Sequence, residues 1–138
     1  MVPEINWIAV ILATLSTMVV GSIWYTPKVF GNYWIRVAKV TPGAAKGAVI
    51  PIVVTLVVSF VSAWVLAGAT YLSFDFYGGS YLTNALLTAV ILWGGFTAAR
   101  FITHDAFEGR PVGLTALNCL HELVTFMVMG LIIGLFGV

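Results

Sequence analysis

The chain has 138 residues, of which 61% are hydrophobic and only 8% are charged, and its mean hydropathy is +1.07. A soluble domain carries about a quarter charged residues, so this composition excludes a water-covered surface and predicts an integral membrane protein. A net charge of +1 without a basic stripe excludes a nucleic-acid partner, and the single cysteine, Cys119, excludes an internal disulfide framework.

Four apolar segments are long enough to cross a bilayer as helices, and they cover residues 5–25, 48–72, 81–103 and 115–137. Each has roughly the 20 residues that a helix needs at a rise of about 1.5 Å per residue. No positively charged segment precedes the first one, which favours a retained span over a cleaved signal peptide. We therefore predict a single all-α membrane domain over residues 1–138, with four transmembrane helices in an up-down bundle.

The connection after the first span has the pattern of a short amphipathic helix over residues 27–40. Thr26-Pro27 predicts an N-cap followed by the first helical residue. Aromatic and apolar side chains then recur at helical spacing, at Phe30, Tyr33, Trp34 and Val37. With basic residues on the other face, this pattern is typical of a helix at the membrane surface, and Thr41-Pro42-Gly43 is expected to end it.

The charged loop residues predict the orientation of the chain in the membrane. The 26–47 connection contains four Lys or Arg and no acidic residue, whereas the 73–80 connection contains only Asp75. The two remaining cations, Arg100 and Arg110, flank the 104–114 connection. By the positive-inside rule, loops 26–47 and 104–114 are expected in the cytoplasm and both termini outside a bacterial inner membrane.

Several short motifs together resemble a known family. The motifs are Ile5-Asn6-Trp7, Trp24-Tyr25-Thr26-Pro27, Phe30-Gly31, Trp34, Phe107-Glu108-Gly109-Arg110-Pro111 and His121. This combination resembles a bacterial family of small membrane proteins catalogued as domain of unknown function 1761, over almost the whole chain. The resemblance implies a four-helix inner-membrane protein and supplies no established activity.

The polar residues of the last two spans fall together, at the ends nearest the 104–114 connection. A charge inside a membrane segment is costly unless it is paired, hydrated or turned to the bundle interior. We therefore expect one interior cluster, centred on an Arg100–Glu122 ion pair, with Asp105 or Glu108 as the competing partner of Arg100. The candidate binding residues are Trp24, Tyr25, Arg100, His104, Asp105, Glu108, Arg110, Asn118, His121 and Glu122.

Some of these residues have two interpretations. Trp24 and Tyr25 are expected to anchor the bundle in the aromatic belt or to wall the cluster. Glu108-Gly109-Arg110-Pro111 predicts a tight turn, with Gly109 at positive φ. Arg110 and Arg100 could hold a lipid phosphate there, but we favour the alternative in which Glu108 and Arg110 brace the turn.

His121 leaves three alternatives open, namely a proton acceptor, a haem or metal ligand, and a neutral imidazole bonded between helices. We favour the last and predict no cofactor. Thr55, Ser59 and Ser62 form a hydroxyl stripe on the second span that could line a path or bond back to its own helix.

Gly130 and Gly134 form a G-x-x-x-G step on the last span, which permits close approach of another helix. We expect that helix to belong either to a second copy of the chain, in a homo-oligomer, or to the second span of the same chain.

These features favour an accessory membrane module that binds lipids or partner helices through the polar cluster. An oligomeric permease or channel for a small solute or proton is the alternative, and a haem- or metal-binding protein is a third. An enzyme is disfavoured because the chain has no recognisable nucleophile or metal motif.

Overall fold

The structure is a computed structural model that describes residues 2–41 and 47–138. These residues form five helices and no strand: α1 (Trp7–Trp24), α2 (Gly31–Ala38), α3 (Val49–Tyr77), α4 (Tyr81–Glu108) and α5 (Val112–Phe136). All except α2 are long and apolar enough to cross a membrane. The predicted all-α fold with four spans is confirmed. Residues 42–46, which include Lys46 and the Pro-Gly pair expected to end the surface helix, lie outside the described part.

The second and third spans extend further than their apolar stretches. α3 continues to Tyr77 and α4 to Glu108, because polar residues near a helix end lower the hydropathy without interrupting the backbone hydrogen bonds. Each helix stops at a glycine with positive φ, at Gly78 (φ 69°) and Gly109 (φ 65°). The left-handed turn predicted at Gly109 is confirmed.

The four spanning helices alternate in direction and form a ring. Each packs against its neighbour along the chain, and α5 closes the ring against α1, whereas α3 and α5 meet only slightly across the diagonal. We call the end where α1 stops and α3 starts the lower end; it also holds the turn between α4 and α5. The other is the upper end.

The upper half of the bundle is closely packed. Its centre consists of buried, mostly small residues from all four helices, namely Ala9, Val10, Ala13, Ala63, Leu66, Ala67, Ala89, Met129 and Ile133. Gly130 and Gly134 let α5 approach α4 here, since a Cβ on Gly134 would lie 2.8 Å from the Cα of Leu82. The glycine ridge therefore packs within the chain, against α4 and not against the second span. The homo-oligomer stays a prediction and would need another surface.

The middle of α4 contains a π-helical segment, Trp93–Ala98. This segment contacts α5, because the Trp93 indole N–H donates to the Cys119 carbonyl of that helix over 2.8 Å. A π turn inserts about one residue, which rotates the rest of the helix by about 100° relative to a regular α-helix. The lower part of α4 therefore presents a different face from the one that regular spacing predicts.

The surface helix α2 is shorter than predicted and begins at Gly31. Residues 26–30 form turns instead, in which the Thr26 carbonyl accepts from the N–H groups of Val29 (3.1 Å) and Gly31 (2.7 Å). Gly31 is required because a Cβ there would overlap the Tyr25 and Thr26 backbone. The aromatic face of α2 packs on the bundle, with the Trp34 ring 5.1 Å from that of Tyr25.

Candidate functional site

A cavity of about 550 Å³ occupies the lower half of the bundle, between α1, α3 and α5. It lies where α3 and α5 face each other across the ring. Its lining combines polar and apolar side chains: Thr17, Met18, Gly21, Ser22, Tyr25, Val54, Thr55, Val58, Ser59, Ser62, Phe101, Asn118, His121, Glu122, Thr125, Phe126 and Met129. None of these described lining residues is Lys or Arg.

The polar wall of the cavity is one face of α5. Asn118, His121, Glu122 and Thr125 recur at helical spacing, and all four line the cavity. Glu122 comes ten positions after Val112, where α5 begins, which places it about 15 Å along the helix. A carboxylate this far inside a spanning helix is a candidate for a functional site, because placing a charge there costs free energy.

His121 lies among aromatic rings. Its ring centroid is 5.0 Å from that of Tyr25 and 5.9 Å from that of Trp24. Its Nδ1 is 3.3 Å from the Glu122 Oε1, while its Nε2 is buried and has no hydrogen-bond partner among the described residues. Trp24 and Tyr25 thus wall the α5 residues. In this structure His121 does not form the interhelical hydrogen bond that we favoured, because its Nε2 faces Gly21, which has no side chain to offer.

Tyr25 links the end of α1 to α5. Its hydroxyl donates to the Asn118 Oδ1 over 2.9 Å. Burial, with a smaller contribution from the nearby Glu122 carboxylate, raises the pKa of Tyr25 to about 12. The phenol therefore stays protonated and keeps its donor role at any physiological pH.

The hydroxyl stripe of α3 forms the opposite wall, with Thr55, Ser59 and Ser62 all lining the cavity. Thr55 donates to the Pro51 carbonyl of its own helix over 2.8 Å, as one of the two alternatives predicts. Ser59 instead lies 3.0 Å from the Thr17 hydroxyl and ties α3 to α1.

Arg100 does not reach the cavity, and the predicted ion pair with Glu122 is wrong. Arg100 is exposed and borders a separate surface pocket with His104, Asp105 and Glu108. The next residue, Phe101, lines the cavity in its place. The physical reason is the π segment, which shifts the cavity-facing register of α4 by one residue. The expected single cluster is therefore two separate ones.

The second cluster holds the α4–α5 turn. Buried Asp105 accepts from the Thr115 hydroxyl over 2.7 Å, and Arg110 donates from Nε to the Glu108 Oε2 over 2.7 Å. The Arg110 Nε is also 3.8 Å from the Asp105 Oδ1. The hydrogen bond to Glu108 raises the pKa of Arg110 above its usual value. Glu108 and Arg110 are thus hydrogen-bonded to each other beside the turn, as the bracing alternative predicts, and the role of this pair stays a prediction.

A second, apolar cavity of about 400 Å³ lies between α3 and the π segment of α4. Its lining residues are Val61, Ser62, Val65, Leu92, Phe96, Thr97 and Phe126. Ser62 and Phe126 also line the first cavity, so the two spaces share a wall. The apolar cavity lies at the middle level of the helices and opens outward, because Val61, Val65 and Phe96 are 47%, 53% and 69% exposed.

The α1 wall of the first cavity was not predicted from the sequence. Thr14, Thr17 and Gly21 recur at spacings of three and four and give that helix one small, weakly polar face. Thr17 and Gly21 line the cavity. The spacing of these three residues was the sequence signal from which this wall could have been predicted.

No group of three or more His, Cys, Asp or Glu side chains is arranged to hold a metal ion within residues 2–41 and 47–138. His104 and His121 belong to different clusters, so they offer no shared site. Cys119 is buried.

Comparison with known proteins identifies one family. A family model described as "Protein of unknown function (DUF1761)" matches residues 8–134, nearly the whole chain. Neither the curated proteins nor the solved structures give a match.

Proposed function

Because this chain belongs to the DUF1761 family, whose description assigns no activity, we propose a function from the cavity itself: the protein binds a small amphipathic molecule from the membrane. The observation that carries this proposal is the pair of adjoining cavities. One has a polar wall at Glu122 and His121, and the other is apolar. Such a combination of apolar lining and a few convergent polar groups is typical of ligand sites.

The order of the two spaces matches an amphiphile in a bilayer leaflet. The polar cavity is in the lower half, and the apolar one lies higher along the helices, at the middle level of the bundle, and adjoins it at Ser62 and Phe126. A bound molecule would keep its head at the level of Glu122 and its tail near the bilayer midplane. If the lower end is cytoplasmic, as the loop charges predict, the ligand comes from the inner leaflet of the membrane.

The packed upper half supports binding over conduction. Residues such as Val10, Leu66 and Ile133 are at most 1% exposed there, so the cavity is closed towards the upper end. A lipid-binding accessory module fits this arrangement better than an open channel does.

Two neighbouring valines of α3 provide the test. Val58 lines the polar cavity and Val57 does not, although their exposed fractions are 57% and 60%. We expect Val58→Trp to reduce photolabelling of the apolar cavity by a neutral alkanol with a diazirine at its tail, and Val57→Trp to leave it unchanged. Labelled residues, mapped by mass spectrometry, should include Phe96 and Phe126. Labelling spread evenly over the lipid-facing side of α3 would contradict the proposal.

A further inference from the structure

The polar cavity contains hydrogen-bond acceptors and aromatic faces and, among its described lining residues, no basic side chain other than His121. We propose that its ligand is a lipophilic amine, whose ammonium group binds to the Glu122 carboxylate. This inference rests on the proposed function and adds the chemical class of the head group.

Glu122 supplies the negative charge. The polar side chains that line the cavity from α1, the Tyr25 segment and α3 carry hydroxyl groups, and Phe101 lines the same cavity from α4. Arg100, the residue expected to neutralise the carboxylate, is outside the cavity and in the other cluster. A partly buried carboxylate without a Lys or Arg partner attracts a cation from elsewhere.

His121 positions the carboxylate. The Glu122 Oε1 lies 3.3 Å from Nδ1, which favours the tautomer with the proton on that atom. Nε2 is buried against Gly21, without a partner among the described residues, and is closed to a ligand. The acceptor for the ammonium group is therefore the Glu122 carboxylate.

Aromatic rings complete the site. Tyr25 and Trp24 lie against His121, and Phe101 and Phe126 line the cavity. The faces of aromatic rings attract organic cations, most strongly where water is excluded. The Tyr25 hydroxyl is engaged with Asn118 and therefore leaves the carboxylate to the ligand.

The absence of Lys and Arg from the described lining selects against a phosphate next to the ammonium group. We therefore assign the site to a simple amine on an apolar tail and not to an aminophospholipid. The tail would occupy the apolar cavity beyond Ser62 and Phe126.

Equilibrium binding of octylamine and 1-octanol to the full chain tests this inference, in phosphatidylcholine nanodiscs with empty discs subtracted. The two probes have the same tail and differ in the head group. We expect octylamine to bind about tenfold more tightly, the effect of one ion pair with aromatic contacts. Glu122→Gln should remove that preference without changing octanol binding. Glu108→Gln, which changes an exposed carboxylate of the other cluster, should leave it intact.

Each other outcome has one meaning. Equal binding of both probes to the unmodified protein overturns the amine and leaves the amphiphile site, and this measurement needs no variant. A preference that persists in Glu122→Gln also overturns the assigned head-group site. Loss of octylamine binding when phosphatidylethanolamine is added to the discs would identify an aminophospholipid instead. Binding of neither probe overturns the inference and the proposed function together.

Discussion

The upper and lower halves of the bundle use the same four spanning helices in opposite ways. In the upper half Gly130 and Gly134 bring α5 onto α4, and both ends of the Asn84 amide group are hydrogen-bonded. In the lower half α5 faces a cavity of about 550 Å³, and the His121 Nε2 has no partner among the described residues. Because the buried Thr70 Oγ1 of the upper half also has no hydrogen-bond partner among the described residues, the two halves differ in packing and not in the satisfaction of polar groups. Close packing in one half can hold the fold while the other half keeps a space with a polar wall.

The largest effect is expected from a mutation that disrupts the close packing of the upper half. Gly134→Ala would place a Cβ 2.8 Å from the Leu82 Cα, so α4 and α5 must separate. We expect the free energy of unfolding in detergent to fall by about 2 kcal/mol. Gly95→Ala is the matched control, since nothing lies within 4 Å of its added Cβ. An equal loss in both variants would contradict the assignment of the tight contact.

A smaller effect is expected from raising the pH, and it belongs to the lower half. The pKa of Tyr25 rises from 10.0 to about 12 on folding, so the folded state holds this proton more tightly. The resulting stabilisation is complete below pH 10 and is lost as the pH rises to about 12. Melting temperatures measured across this range should therefore fall more steeply for the unmodified protein than for Tyr25→Phe.

Tyr77→Phe is the control for that measurement, because Tyr77 is 78% exposed. It should leave the alkaline decline unchanged. If the two phenylalanine variants behave alike, the burial of the Tyr25 hydroxyl against Asn118 does not control this pH dependence.

The smallest effect is expected where the sequence suggested a large one. Arg100 and Glu122 belong to separate clusters, so a double-mutant cycle with Arg100→Gln and Glu122→Gln should give a coupling below about 0.5 kcal/mol. The hydrogen-bonded pair Asp105 and Thr115 is the positive control, with about 1 kcal/mol expected for Asp105→Asn and Thr115→Val. Unfolding in one detergent measures both cycles. A strong coupling between residues 100 and 122 would contradict their assignment to two separate clusters.

Hydropathy was sufficient to predict the four spans, because about 20 apolar residues in a row leave a membrane helix as the natural solution. The polar face of α5 was also predictable, since Asn118, His121 and Glu122 follow regular α-helical spacing. The helix ends at Tyr77 and Glu108 were not predicted, because polar residues there reduce hydropathy while the helix continues.

The cavity-facing side of α4 could not be predicted from spacing. The segment Trp93–Ala98 is uncharged and would read as ordinary helix, and its Trp93 side chain is hydrogen-bonded to the Cys119 carbonyl of another helix. Such a tertiary contact has no local sequence signal. The prediction for Arg100 was therefore wrong, while those for the α5 residues, which lie on an uninterrupted helix, were not affected.

The π-helical segment of α4 has a consequence for the kind of ligand that the cavity can bind. An uninterrupted α-helix of identical sequence would turn residue 100 inward instead of residue 101 and would set a guanidinium opposite the carboxylate of residue 122. The two charges would then form an ion pair inside the bundle, and the carboxylate would need no cation from outside. The backbone geometry of one helical turn thus determines whether the cavity lining is neutral or negatively charged, without any change of sequence.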